Sequence, residues 1–140
     1  MSLKGLLTAD TGGLATSIGL FLLRVFAGLS LFLKHGLEKL GGYSTMVQHF
    51  PDPIHIGAHA SLAFALLSDG ICSLLVILGV ATRSAALIIL INVGTAFLLV
   101  HHAAFFSNRN VELVALYAII FAAIVFTGPG RFSIDYHLKR

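Results

Sequence analysis

Four stretches of nearly unbroken apolar residues set the rhythm of this chain: 14–33, 59–80, 84–101 and 111–127. Each has roughly the 20-residue length that an α-helix needs to cross the hydrocarbon core of a bilayer. A transmembrane barrel would require shorter segments of alternating character, and isolated strands cannot satisfy their backbone groups in lipid. The pattern therefore predicts an all-α, integral membrane four-helix bundle, one transmembrane domain over 1–140. The first stretch is long for the apolar region of a signal peptide, is interrupted by Arg24, and leads into Lys34-His35-Gly36-Leu37-Glu38-Lys39, not a small-residue cleavage site. It reads as a retained span.

The connections differ in kind. Gly79-Val80-Ala81-Thr82-Arg83 is short enough to make spans two and three an antiparallel hairpin. Residues 102–110, with Phe105-Phe106 and Ser107-Asn108-Arg109-Asn110, join spans three and four. The long connection, 34–58, is broken at Gly41-Gly42 and again at Pro51-Asp52-Pro53. Between the breaks, Tyr43 to Phe50 has room for a short interfacial helix.

Composition supports the same reading. Hydrophobic residues make up 57% of the 140 positions and charged residues 11%, with a mean hydropathy of +0.94. A soluble fold of this length has too little interior for that much apolar surface. The net charge of +3 is scattered in ones and twos, which argues against a nucleic-acid partner. Basic residues instead bear on orientation. Lys4, Arg83, Arg131, Lys139 and Arg140 fall on the side of the termini, against Lys34, Lys39 and Arg109 on the other. That difference places both termini in the cytoplasm of a multi-pass inner-membrane protein. Six of the seven histidines, His35, His49, His55, His59, His101 and His102, then face outward.

Ionisable groups inside spans are the candidate chemistry, because each costs about 2.5–3.5 kcal/mol to insert. Arg24 and Asp69 lie mid-way along spans one and two, near the same depth, and are expected to pair with each other. At 100° per residue, Ser17, Gly28 and His35 fall within about 40° of Arg24, and Lys39 about 60° away. That stripe runs from mid-membrane to the outer surface. Ser73 follows Asp69 by one turn. Glu112 opens span four behind Asn110, where it either complements the helix dipole, with Asn110 as N-cap, or meets Lys39, His101 or Arg24. Asn92 and His101 fall on opposite faces of a regular helix, so the two are not expected to line one cavity.

Several chemistries lack support. The single cysteine, Cys72, offers no disulfide and no redox pair, and reads as a small buried helix residue. His55-x-x-x-His59 straddles a loop–helix junction with no supporting carboxylate, so metal or haem ligation is a weak reading beside the interfacial one. Phosphate loop, dinucleotide fingerprint and nucleophile motif are all missing from the sequence.

These residues together carry a resemblance. Leu23-Arg24-Val25-Phe26-Ala27-Gly28 followed by His35-Gly36-Leu37-Glu38-Lys39-Leu40 resembles the first span of the DoxX family. The acidic residue of span two with Leu78-Gly79-Val80-Ala81-Thr82-Arg83, Ala96 with His101, and Asn110-Val111-Glu112 resemble its later spans. Gly128-Pro129-Gly130-Arg131-Phe132-Ser133-Ile134-Asp135 is the most specific piece. Asp69 departs from the family's usual Glu and shortens the reach of that carboxylate by one methylene.

The resemblance implies kinship with the membrane subunit of a thiosulfate:quinone oxidoreductase, and with proteins that associate with redox-defence partners. It points to Arg24, His35, Lys39, Asp69, His101 and Glu112 as ligand-binding residues, and to quinone as the candidate cofactor ahead of haem or a metal. It implies partners among other membrane or periplasmic redox proteins, with the lipid bilayer around it and homo-oligomerisation open to it. The sequence leaves catalysis by this chain alone undecided. Against the redox-associated, quinone-binding reading stands a non-enzymatic membrane scaffold, or a lipid- or partner-binding subunit of a larger complex. A small transporter is disfavoured by the lack of internal repeats.

Overall fold

The computed structural model describes residues 13–103 and 109–138; of Arg109 it describes the backbone alone. The stretch 104–108 and the basic residues Lys4, Lys139 and Arg140 lie outside the described residues. Four helices are long and apolar enough to cross a membrane. Helix α1 spans Leu14–Gly41, a four-residue α2 Tyr43–Met46, α3 Ala58–Leu78 and α4 Thr82–Val100. Helix α5 spans Arg109–Thr127 and a short α6 Ile134–Leu138. Among the described residues there is no strand.

The distribution of polarity is inverted relative to a water-soluble protein. Arg24, Ser68, Asp69, Ser73 and Thr82 are buried, whereas Phe26 is 68%, Ile119 65% and Phe126 82% exposed. Large apolar side chains on the outside and polar ones within are what a lipid solvent selects.

Close packing is achieved with small residues. Ala85 and Ala86 on α4 are fully covered and let α5 approach, so that Ile89, Val93, Tyr117, Phe121 and Ile124 form the main apolar core. Helix α1 meets α3 through two glycines. A β-carbon at Gly28 would lie 2.5 Å from Ile77 Cγ1, and one at Gly36 would lie 2.7 Å from the carbonyl oxygen of Asp69.

Three helices are widened. Phe32–Gly36 in α1, Leu67–Cys72 in α3 and Ala96–Val100 in α4 are π-helical. Each π turn takes up an extra residue and often marks a functional region. Ser73 Oγ donates to the carbonyls of Asp69 and Gly70, at 2.6 and 2.8 Å, giving partners to oxygens loosened by the turn in α3.

The first helix is longer than hydropathy predicts. It continues through Lys34 and Lys39 to Gly41, because those long side chains sit at the membrane edge and do not interrupt helix geometry. The interfacial helix expected over 43–50 reduces to Tyr43–Met46. Asn110 lies in the first turn of α5, not at its cap, since the helix already includes Arg109.

Candidate functional site

Two polar clusters occupy opposite ends of the bundle. At the end bearing the α3–α4 turn, Arg24 is 1% exposed. Its Nη1 donates to the carbonyl of Pro129 at 2.9 Å and its Nη2 to that of Phe132 at 2.6 Å. Gly128 and Gly130, with φ of +79° and +75°, bend the chain after α5 so that these carbonyls face inward. The same segment ends in Asp135, whose carboxylate accepts from the amides of Ala81 and Thr82 and from Thr82 Oγ1, at 2.7–2.8 Å. It therefore caps α4 from a distant part of the chain.

The expected pairing of Arg24 with Asp69 is corrected by this arrangement. Gly36 lies against Asp69 and Gly70, while Gly79 lies against Arg24. The antiparallel register thus separates the two charges by about 18 Å along the axis, at 1.5 Å per residue. Taking α1 to end near residue 33 put its middle too close to Arg24.

The second cluster sits at the end of the long connection. Lys39 Nζ lies 2.8 Å from Asp69 Oδ2, both side chains largely covered. Asp69 Oδ1 accepts from Asn92 Nδ2 at 3.1 Å and from Ser68 Oγ at 3.2 Å. One carboxylate therefore holds α1, α3 and α4 together. His35 stands edge-on to Tyr117, ring centroids 5.9 Å apart, and Tyr117 shares a 2.6 Å hydrogen bond with Ser30.

These groups open onto a cavity of about 430 Å³. His35, Lys39, Ser61, Asp69, Asn92, Thr95, His101 and Tyr117 supply its polar lining, and the rest is Leu, Ile, Val, Ala, Phe and Pro from all four long helices and the loop 50–56. An apolar chamber with a few convergent polar groups is the usual form of a small-molecule site. The lining carries one clear cation–anion pair, two imidazoles and a phenol. Such a set can donate to a carbonyl or an anion and can move protons at a bound ligand.

Of the six residues singled out from sequence, His35, Lys39, Asp69 and His101 come together here. Arg24 belongs to the opposite end, and Glu112 is exposed in the first turn of α5, away from the cavity lining. Asn92 and Tyr117 join the site beyond that set. Regular 100° steps put Asn92 opposite His101, but the π turn at Ala96–Val100 sets the following residues back by about one residue's rotation, roughly 100°. Both then line the cavity. Tyr117 gave no signal beyond being an aromatic in an apolar span.

The loop over the cavity is pinned by Asp52. Its carboxylate accepts from the amides of Ile56 and Gly57 at 3.0 and 2.7 Å, and from Ser61 Oγ at 2.8 Å. Desolvation opposes ionisation of Asp52, but these hydrogen bonds and nearby His55 outweigh it and hold the carboxyl below its ordinary range. His55 and His59 are both exposed, His55 on the loop and His59 beside the Tyr43 ring.

The comparisons with known proteins agree with the architecture. The DoxX family model matches residues 19–102. An uncharacterized protein of Haemophilus influenzae is 28% identical over 134 residues, covering 91% of this chain and 88% of that one. No solved structure matches. The matched segment runs from α1 to the end of α4 and so contains Lys39, Asp69, Asn92 and both cavity histidines. With more than half of the chain matched, the protein belongs to the DoxX family.

Proposed function

We propose that this protein is a redox-associated subunit of a bacterial inner membrane, binding a quinone or a similar small molecule in the cavity at the outward-facing end. The observation that carries the reading is the cavity itself: apolar walls around Lys39, Asp69, His35 and His101. In this reading Lys39 and the histidines donate to a ligand carbonyl, and Asp69 keeps the Lys39 ammonium oriented. Asn92 steadies Asp69 from the facing helix. Reduction of a quinone to a quinol takes two electrons and two protons. The protons pass at His35 and His101, and the electrons come from a redox protein docked at the outer face.

The test is a binding measurement on purified protein in nanodiscs. A water-soluble short-chain quinone is expected to raise the melting temperature in a saturable way. Combined His35→Ala and Lys39→Ala substitution should abolish that rise. No quinone extracted from the purified protein, together with no shift at saturating quinone, would overturn the reading. The alternative of a non-enzymatic scaffold or partner-binding subunit draws on the exposed apolar faces of the helices. It predicts a co-purifying membrane protein after mild solubilisation and a cavity indifferent to quinone.

A further inference from the structure

The position of the cavity mouth says how a ligand reaches it. Close backbone contact between α3 and α4 is concentrated from Leu67 to Leu78; the outer half of α3, Ala58–Leu66, stands away from α4. The separation begins at the π turn of α3, and α4 has its own π turn, Ala96–Val100, facing the gap from the other side. Four large apolar lining residues stay exposed: Ile54 at 55% and Ile56 at 52% on the loop, Phe64 at 37% on α3 and Ile91 at 51% on α4. Because α3 and α4 part on this side, the Phe64–Ile91 pair marks a mouth between the helices.

Its depth is the decisive point. Phe64 lies six residues inside the start of α3 and Ile91 nine residues before the end of α4, about 9 and 13 Å into the helices at 1.5 Å per residue. In a bilayer that spans α3 and α4, a mouth at that depth faces hydrocarbon. Beyond it the loop 50–56, clamped through Asp52, lines the cavity with Pro51, Pro53, Ile54 and Ile56.

We infer that the cavity opens sideways into the bilayer between α3 and α4, and that its occupant is a membrane-dissolved molecule whose polar head reaches Lys39 and Asp69 while its tail stays in lipid between Phe64 and Ile91. The ligand class follows from the geometry: a compact head with hydrogen-bond acceptors, joined to an isoprenoid or acyl tail too long for about 430 Å³ to enclose. The path rests on the position of the mouth, and only the nature of the head depends on the proposed quinone reading.

The chain contains no tryptophan, so one introduced residue gives an unambiguous fluorescence signal. Thr95→Trp and Val114→Trp each place the reporter on the cavity lining, from α4 and α5, and Ile119→Trp on the exposed face of α5 calibrates full contact with lipid. In nanodiscs, brominated acyl chains are expected to quench the two cavity reporters several-fold more than aqueous iodide does. Iodide quenching that equals or exceeds bromolipid quenching at both positions would overturn the portal. Narrowing the mouth by Ile91→Trp should weaken a decyl-tailed quinone about tenfold and a tail-less quinone far less; equal effects on both would also count against it. Loss of all quinone binding with bromolipid quenching retained removes the quinone and leaves the portal standing.

Discussion

Asp69 shows how much a single carboxylate can be asked to organise inside a membrane. It receives Lys39 from α1, Asn92 from α4 and its neighbour Ser68, so every oxygen has a partner and the charge is balanced. Replacing it with Asn keeps the shape but leaves the Lys39 ammonium buried without an anion. Removing one partner of such a pair typically costs about 3–5 kcal/mol. Asp69→Asn is therefore expected to lower the melting temperature markedly in detergent. Combining Asp69→Leu with Lys39→Met should recover much of the loss, because both charges are then gone. An unchanged melt in the single variant would rule out the pair as a source of stability. Much of this site was legible in the sequence, since His35, Lys39, Asp69 and His101 stand out as ionisable groups in apolar helices. Their true pairing was not. Depth had to be counted from helix ends, and Lys34 and Lys39 disguised the end of α1. His101 shares the cavity with Asn92 only because a π turn, which leaves no signature in hydropathy, rotates the end of α4.

At the scale of elements, the π turns, glycines and clamped loop work on one another. Gly36 lets the widened part of α1 lie directly on the backbone of Asp69. A methyl at Gly36 meets a carbonyl oxygen at 2.7 Å and the carbonyl carbon at 3.1 Å, which belong to a rigid helix. A methyl at Gly28 meets Ile77 Cγ1 at 2.5 Å, a side-chain atom, and its nearest backbone atom, the Ser73 carbonyl oxygen, lies farther off at 3.1 Å. Gly36→Ala is accordingly expected to destabilise the protein more than Gly28→Ala, and to weaken any cavity ligand as well. Thermal melts of the two variants side by side check the order, and equal melting temperatures would contradict it. The loop over the cavity is held by acid–base chemistry. Asp52 is held below its ordinary pKa of 3.8 in the folded state, so its stabilising contribution is complete above that value. It is lost as pH falls through the lowered one. The amides of Ile56 and Gly57 are therefore expected to stay protected from hydrogen exchange at pH 5 to 7. Asp52→Ala should expose both at neutral pH, and unchanged exchange there would show that the carboxylate is not the clamp.

For the whole molecule, the two polar ends are not equivalent, and this bears on orientation. One end is closed: Arg24, Gly79, Thr82 and Asp135 knit the C-terminal segment under the bundle. The other holds the cavity and its loop. Orientation in a membrane follows the basic residues flanking the spans. Counting them gives Lys4, Arg83, Arg131, Lys139 and Arg140 on the side of the termini, against Lys34, Lys39 and Arg109 on the side of the cavity. With four spans, the start of α1 at Leu14 and the end of α5 at Thr127 share a side. A C-terminal green fluorescent protein fusion in a bacterial host is therefore expected to fluoresce, and a C-terminal alkaline phosphatase fusion to be inactive. Active phosphatase with a dark fluorescent fusion would invert the molecule, turn the cavity toward the cytoplasm, and move the docking side of the proposed redox partner to that face of the membrane.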